Sequence, residues 1–303
     1  MVQFVVLLLG LFLFAGLGLY IAQQVQGVTT TGQVTVMQGV LWQRYRSWLM
    51  IALLYAGAAV GGVWTVAILC AFLCWQGAHE YAALTALGFW SSLLLALLGW
   101  LTLLALLISG QSVLVVAPIM AFFLWSLVAI YMVEHSGSLE KGSAQAFQGF
   151  WGYLYVGWLP AHLVGLALGK VPGLVLVIGL GVALSDIGAF CVGKLLRGPK
   201  LAPQLSPGKT WSGVLGNLLG AGLTLLFTRF LLPGLLFWQV LLFVFMIGLG
   251  SVWGDLLESM LKRRGGVKDA GTLLPGFGGL LDRIDSLLLV APLVYYLSRW
   301  MMG

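Results

Sequence analysis

Apolar stretches of about twenty residues recur along this 303-residue chain, and each is long enough to cross the hydrocarbon layer of a bilayer as a helix. Hydrophobic residues make up 61% of the sequence, which is too large a share for the surface of a soluble domain. The alternation typical of barrel strands is absent, and backbone groups in lipid must be paired within their own segment. The sequence therefore predicts an all-α, polytopic integral membrane protein with about nine or ten transmembrane helices.

The apolar runs and their breaks place the individual spans. A span over residues 3–22 is followed by a polar stretch, so residues 1–45 are expected to form an extra N-terminal transmembrane helix and a linker. The apolar run 49–84 is too long for one helix, and GAAVGG at 57–62 predicts a break between two. Residues 134–149 are expected to form a polar connector on the outer face. The further predicted spans are 87–109, 112–133, 150–169, 173–194, 212–232, 235–260 and 284–301.

Basic residues in the short loops indicate the orientation. One cluster runs from Lys194 to Lys209 and another from Lys262 to Lys268, and two predicted spans separate them, so both lie on the same side. The positive-inside rule assigns that side to the cytoplasm. The formal net charge of +6 does not indicate nucleic-acid binding, because these residues sit in short loops where they set topology and meet phosphates or anionic lipid.

Acidic residues are concentrated near the end of the chain, where five of the nine fall between residues 255 and 285. A Glu258–Lys262 pair that only fastens the end of a helix is the simplest explanation of part of this cluster. It leaves Asp255 unexplained one turn deeper, and an acid in a membrane span indicates function by default. Four polar side chains at i, i+3, i+4 and i+7 share one helix face: Asp255, Glu258, Ser259 and Lys262.

A glycine-containing loop and two more acids follow. PGFGG at 275–279 would let backbone N–H groups approach an anion closely, although such loops are also common connectors. Asp282 and Asp285 stand at the start of the last predicted span, where acids also suit the helix dipole. Asp186 lies within another apolar span, upstream of LSPGKTW, at an equally unfavourable depth.

Acids that suit a divalent cation and bases that suit phosphates thus converge on one membrane face. Carboxylate oxygens are ligands that Mg²⁺ prefers, and Lys or Arg side chains offset charge during phosphoryl or nucleotidyl transfer. The histidines are scattered without a nucleophile beside them, which argues against acyl transfer. A transporter that uses Asp186, Asp255 and Asp282 as cation sites is the alternative class, although no repeat of two halves is visible.

The segment SMLKRRGGVKDAGTLLPGFGGLLDRID, residues 259–285, resembles the signature of the phosphatidate cytidylyltransferases, or CDP-diacylglycerol synthases. That signature runs S-x-x-K-R, four residues, K-D, then P-x-H-G-G and D-R-x-D. The resemblance covers residues 46–303, with the catalytic half at 173–303. The histidine of the signature is Phe277 here, and phenylalanine can neither coordinate a metal nor donate a proton. A different phospholipid acceptor or an inactive paralogue therefore also fits.

The resemblance implies a Mg²⁺-dependent enzyme that transfers CMP from CTP to phosphatidate, giving CDP-diacylglycerol and pyrophosphate. It allows a second cation such as K⁺ and implies a bacterial inner membrane with the active site facing the cytoplasm. The expected partners are CTP, phosphatidate or a related phospholipid, and membrane lipids; a homodimer is left open, and no nucleic acid is expected.

The resemblance and the charge pattern together assign roles to individual residues. The expected catalytic residues are Asp255, Asp282, Lys268 and Asp269. The expected metal ligands are Asp186, Asp255, Asp282 and Asp285. The expected substrate-binding residues are Ser185, Lys194, Lys200, Ser206, Lys209, Ser259, Lys262, Arg263, Gly278, Gly279 and Arg283.

Overall fold

The computed structural model describes residues 33–273 and 278–302, which are mostly helical, as predicted. A π-helical segment, Tyr153–Trp158, and a 3-10 turn, Arg229–Leu231, interrupt the α-helices. Two short strands, β1 (Lys200–Ala202) and β2 (Ser206–Thr210), pair as an antiparallel hairpin. The α-helices of the described chain are α1 (Gln33–Gly61), α2 (Val63–Thr85), α3 (Phe89–Ser109), α4 (Val113–Ser136), α5 (Leu139–Gly152), α6 (Leu159–Ala167), α7 (Gly173–Leu196), α8 (Trp211–Phe227), α9 (Phe237–Arg264) and α10 (Leu281–Met302).

Several of these helices match the prediction of a membrane protein. Large apolar side chains such as Ile108 and Ile130 are 75% and 61% exposed, as expected for surfaces that face lipid. The count of nine or ten spans stays a prediction, and the first predicted span, 3–22, lies outside the described residues. Four described helices are long and apolar enough to cross a membrane: α3, α4, α7 and α9.

The predicted element boundaries hold in some places and fail in others. The break expected at 57–62 is found at Gly62, whose φ of 94° lies in the left-handed region that favours glycine. Residues 33–45, in the predicted linker, are helical and continuous with the rest of α1. The polar connector predicted at 134–149 contains a helix, because α5 begins at Leu139. The Ser138 Oγ accepts the N–H of Lys141 and caps this helix.

Glycines set the close packing of the helices that carry the acids. A Cβ added to Gly216 on α8 would collide with the carbonyl oxygen of Gly188 on α7, so the two backbones are in contact there. A Cβ added to Gly254 on α9 would lie 2.5 Å from the carbonyl oxygen of Asp285 on α10. Small residues permit this approach between membrane helices. The side chains next to these glycines are thereby brought together.

The buried core joins the N-terminal and C-terminal halves of the described chain. Tyr81 on α2, Tyr155 on the π-helical segment, and Leu281 and Val290 on α10 all belong to one cluster of buried apolar side chains. A Cβ on Gly77 would meet Val156 at 3.3 Å and Leu281 at 3.5 Å. The start of α10 is therefore packed against α2 and the π-helical segment.

Candidate active site

Three carboxylates from two helices meet where α9 contacts α10. Ligand oxygens of Asp255, Glu258 and Asp285 all lie within 4.8 Å of one another. Asp255 and Glu258 share a face of α9, as their spacing predicts, and Gly254 allows the α10 backbone to approach that face. Glu258 and Asp285 are buried, at 1% and 8% exposure, whereas Asp255 is half-buried. We call these three side chains the carboxylate cluster.

The donor set of the carboxylate cluster fits a hard divalent cation. Mg²⁺ prefers carboxylate oxygens, and an oxygen from each of the three residues is close enough to share one ion. The Oε1 atom of Glu258 is buried and has no hydrogen-bond partner among the described residues. A buried acceptor of this kind is normally paired, so a bound cation would satisfy it.

Two lysines lie directly beside the cluster. The Nζ of Lys209, on β2, is 2.6 Å from Asp255 Oδ2. The Nζ of Lys262, on α9, is 2.5 Å from Glu258 Oε2 and 2.8 Å from Asp282 Oδ1. The Glu258–Lys262 pair expected at i, i+4 is therefore present, and Lys262 also reaches α10. Cations so placed partly neutralise the mutual repulsion of the acids.

Asp282 lies next to the carboxylate cluster and has its own partners. Its Oδ2 accepts the backbone N–H groups of Ala270 and Gly279, each at 2.8 Å, and its Oδ1 accepts from Lys262. These contacts hold the segment that connects α9 to α10. The catalytic and metal-ligand roles assigned to Asp282 stay predictions.

The predicted residues of α7 border the same region. Asp186 is exposed on α7. Its carboxylate is close enough to Asp255, Lys209 and Arg283 to interact electrostatically with them. Asp285 is in turn influenced by the charges of Asp255 and Asp186. Ser185 is buried, and its hydroxyl donates to the carbonyl oxygen of Asn217 at 3.0 Å, so it ties α7 to α8. Asp186 is therefore a neighbour of the cluster and not one of its three members.

Two further predicted residues stabilise the site from α9. The Ser259 hydroxyl donates to Asp255 Oδ1 at 3.4 Å, a long contact. The Nε–H of Arg263 donates to the carbonyl oxygen of Leu205 at 3.3 Å, in the turn between β1 and β2. Arg263 therefore fastens the hairpin that carries Lys209.

Five other predicted residues of the described chain form no hydrogen bond or ion pair with the cluster. Lys200 is exposed on β1 and Ser206 is half-buried on β2. Lys194 is exposed, with its Nζ 5.4 Å from the ring centroid of Phe190. Lys268 and Asp269 are exposed after α9. Their substrate-binding or catalytic roles stay predictions.

The two glycines before α10 are close to acids of the protein itself. A Cβ on Gly278 would lie 2.8 Å from Asp282 Oδ2 and 3.2 Å from the Cβ of Asp269. The N–H of Gly279 donates to Asp282 at 2.8 Å. The Gly279 amide thus approaches a carboxylate of the protein itself, and contact of the two glycines with a substrate phosphate stays a prediction.

Sequence reasoning missed two residues of this region. Glu80 on α2 is buried, and its carboxylate accepts the backbone N–H groups of Leu280 and Leu281. Its position in the apolar run 49–84 was the available signal. Tyr155 is buried on the π-helical segment, and its hydroxyl has no hydrogen-bond partner among the described residues. It is close enough to the carboxylate cluster to interact electrostatically with the acids. A tyrosine in an apolar stretch does not stand out in the sequence as the charge of Glu80 does.

Comparison with known proteins extends the resemblance found in the sequence. The sequence model of the cytidylyltransferase family matches residues 42–301. The chain belongs to the cytidylyltransferase family. This confirms the resemblance of residues 259–285, and it identifies the protein as a CTP-utilising transferase in a membrane.

Individual relatives of this cytidylyltransferase match over different lengths. The chain is 32% identical to the uncharacterised protein YnbB of Escherichia coli over 269 residues, which are 85% of this chain and 87% of that protein. It is 46% identical to the phosphatidate cytidylyltransferase of Brucella suis over 113 residues, 37% of this chain and 41% of that enzyme. The enzyme of the same name in Mycobacterium leprae is 34% identical over 184 residues, 57% of this chain and 58% of its own. The match thus spans less than two thirds of either named enzyme.

Proposed function

We propose that this cytidylyltransferase transfers CMP from CTP to phosphatidate and releases CDP-diacylglycerol and pyrophosphate. The observation that carries the proposal is the carboxylate cluster, flanked by Lys209 and Lys262 at the end of a membrane helix. The names of the Brucella suis and Mycobacterium leprae relatives support the choice of acceptor. In the proposed orientation this end of α9 faces the cytoplasm, where CTP is available, and the acyl chains of the lipid stay in the bilayer.

In this proposal Asp255, Glu258 and Asp285 hold Mg²⁺. When bound, the ion supplies neutralisation of phosphate charge on the nucleotide. Asp186 lies beside the cluster, and Asp282, on α10, binds the segment that connects α9 to α10. A second cation such as K⁺ remains part of the proposal through the resemblance to the family, and so does a homodimer.

The side chains of the protein bind and orient the two reactants. Lys209 and Lys262 offset the charge of the CTP phosphates and of the leaving pyrophosphate. Arg263 keeps the hairpin, and with it Lys209, at the end of α9. A phosphate oxygen of phosphatidate attacks the α-phosphorus of CTP in line, so that one oxygen–phosphorus bond forms while the bond to pyrophosphate breaks. Lys209 and Lys262 therefore stabilise the negative charge that develops on the leaving pyrophosphate.

Purified protein incubated with labelled CTP, Mg²⁺ and phosphatidate in mixed micelles tests the proposal. We expect CDP-diacylglycerol and pyrophosphate in equal amounts, with loss of both on addition of EDTA or in Asp285→Asn. Glu140→Gln is the matched control, because Glu140 is an exposed acid on α5. A folded protein that makes no CDP-lipid from any phosphorylated lipid contradicts the proposal. Cation flux in liposomes without turnover would instead support a transporter.

The acceptor lipid is tested separately through Phe277, which lies outside the described residues. A panel of phosphorylated lipids is compared in the wild type and in Phe277→His, which restores the residue of the family signature. If histidine raises turnover on phosphatidate many-fold while another lipid is the better substrate of the wild type, the native acceptor is that other lipid.

A further inference from the structure

A buried carboxylate on α2 caps the start of α10. Glu80 is 5% exposed, and its Oε1 and Oε2 accept the N–H groups of Leu280 and Leu281, each at 2.8 Å. The first N–H groups of a helix have no partner inside the helix, so Glu80 satisfies two donors that water would otherwise bind. Gln76, one turn earlier on α2, donates to Glu80 Oε1 at 2.9 Å and fixes the orientation of the carboxylate.

Two glycines pass directly against this carboxylate. A Cβ on Gly279 would lie 2.6 Å from Glu80 Oε2, and a Cβ on Gly271 would lie 3.1 Å from Glu80 Oε1. A side chain at Gly279 would therefore push the chain away from Glu80. Gly271 and Gly279 thus allow the backbone of this segment to lie against the carboxylate of Glu80, which belongs to α2.

Asp282 and Asp285 follow immediately after the residues that Glu80 holds. Asp282 is the next residue after Leu281 and binds Lys262 on α9. Asp285 lies within the same first turns of α10 and supplies one side of the carboxylate cluster. A rotation or slide of the start of α10 would move both aspartates relative to Asp255 and Glu258, which are carried by α9.

We propose that Glu80 is a positioning residue for the carboxylate cluster, since it sets the place of Asp285 relative to α9 by capping α10. The proposal rests on the proposed function, in which the cluster holds the cation required for CMP transfer. Glu80 does not touch the reacting atoms and acts through α10. In Glu80→Gln the amide NH₂ faces one of the two backbone donors, so at least one of the two hydrogen bonds is lost.

The experiment compares Glu80→Gln with Tyr55→Phe in purified full-length protein. Tyr55→Phe also removes a partly buried contact between helices, because the Tyr55 hydroxyl donates to the carbonyl oxygen of Val175 at 2.6 Å. Mn²⁺ is the probe, and its affinity is measured by the loss of the free-ion signal in electron paramagnetic resonance. Hydrogen exchange of the peptide 278–285, thermal unfolding, and kcat and KM for CMP transfer are measured on the same samples.

We expect Glu80→Gln to bind Mn²⁺ about tenfold more weakly and to lose kcat on the order of a hundredfold, as for a misplacement of about 1 Å. Its KM for the lipid should change little, and the N–H groups of Leu280 and Leu281 should exchange faster. Tyr55→Phe should lower the unfolding temperature while it leaves Mn²⁺ affinity and kcat within about twofold of the wild type.

Wild-type Mn²⁺ affinity in Glu80→Gln, combined with faster exchange, would show a purely structural contact and overturn the proposal. A wild type that binds Mn²⁺ but transfers no CMP would refute the proposed function, while the Mn²⁺ affinities would still decide the role of Glu80. A wild type that binds no Mn²⁺ overturns both. If Glu80→Gln does not fold, Gln76→Leu removes only the donor to Oε1; about threefold weaker binding supports the proposal, and unchanged binding contradicts it.

Discussion

The Nζ of Lys209 lies 2.6 Å from the Oδ2 of Asp255, and this contact joins the β-hairpin to the acidic face of α9. The hydrogen bond from Arg263 to Leu205 fastens the turn of the same hairpin to the end of α9. A positive charge is thus fixed beside the carboxylate cluster by two contacts. A cation that is ordered in advance stabilises the charge that develops on a leaving phosphate without reorganisation during the reaction.

Replacement of this lysine should therefore impair nucleotide use. We expect Lys209→Ala to lower kcat/KM for CTP about thirtyfold, or roughly 2 kcal/mol, because a charge-assisted contact to phosphate is lost. Steady-state kinetics with CTP varied at saturating lipid measure this effect. Lys141→Ala removes an exposed lysine on α5 and serves as the control. Equal kcat/KM values for the two variants would exclude Lys209 from nucleotide binding.

The carboxylate cluster predicts that one substitution affects thermal stability differently in the absence and in the presence of Mg²⁺. Asp285→Asn removes one of three acids that repel one another across less than 4.8 Å. In EDTA we expect an unfolding temperature at least equal to that of the wild type. Added Mg²⁺ should stabilise the wild type and have little effect on the variant, because ligand binding raises stability only where the site exists. Thermal unfolding in detergent with and without Mg²⁺ measures both. A variant that is stabilised by Mg²⁺ as strongly as the wild type would remove Asp285 from the ligand set.

The contact of α9 with α10 predicts a strong difference between two glycine substitutions. Gly254→Ala places a Cβ 2.5 Å from the carbonyl oxygen of Asp285, so the helices must separate. We expect a loss of about 1–3 kcal/mol in the free energy of unfolding, together with weaker Mg²⁺ binding. Gly222→Ala on α8 is the matched control, because nothing lies within 4 Å of its added Cβ. Denaturant unfolding in detergent compares the two; a cost of Gly222→Ala as large as that of Gly254→Ala would contradict the packing argument.

The hydroxyl groups of two neighbouring tyrosines should contribute differently to the free energy of unfolding. The rings of Tyr81 and Tyr155 are 6.4 Å apart, but only Tyr81 donates within the described chain, to the carbonyl oxygen of Gln148 at 2.9 Å. Tyr81→Phe should cost about 1 kcal/mol in the free energy of unfolding, since it leaves an acceptor without its donor. Tyr155→Phe should cost nothing or stabilise the protein. The same unfolding measurement decides, and an equal loss in both would show that Tyr155 has a partner in solution.

The positions of several apolar helices could be predicted from the sequence because apolar runs and glycine breaks act locally. Gly62 ends α1 at the expected place for this reason. The helix Leu139–Gly152 could not be recognised in the same way, since its polar composition resembles that of a loop and only the cap at Ser138 marks its start. The β-hairpin is too short to show a strand pattern, with three and five residues in its strands.

The candidate site was predictable where a charge stands out in an apolar run. Asp255 was identified on that basis, and Asp285 from the clustering of charge and the family signature; the two meet in the cluster. Glu258 was explained by its pair with Lys262, and that pair exists. Its other carboxylate oxygen is buried without a hydrogen-bond partner in the described chain, which spacing alone does not reveal. Glu80 also stands in an apolar run, but its role could not be assigned, because its partners are backbone N–H groups 200 and 201 residues away.

The link between Glu80 and the start of α10 bears on how such proteins can diverge or be recombined. Residues 173–303 contain every acid of the cluster, yet one of the supports of that cluster is encoded far upstream, in α2. A chimera that takes its first helices from one relative and its last helices from another would keep all three carboxylates of the cluster. The α2 helix that contacts the start of α10 would come from the other relative. If the cluster holds a cation as proposed, exchange of the N-terminal helices would alter the cation preference without any change to Asp255, Glu258 or Asp285.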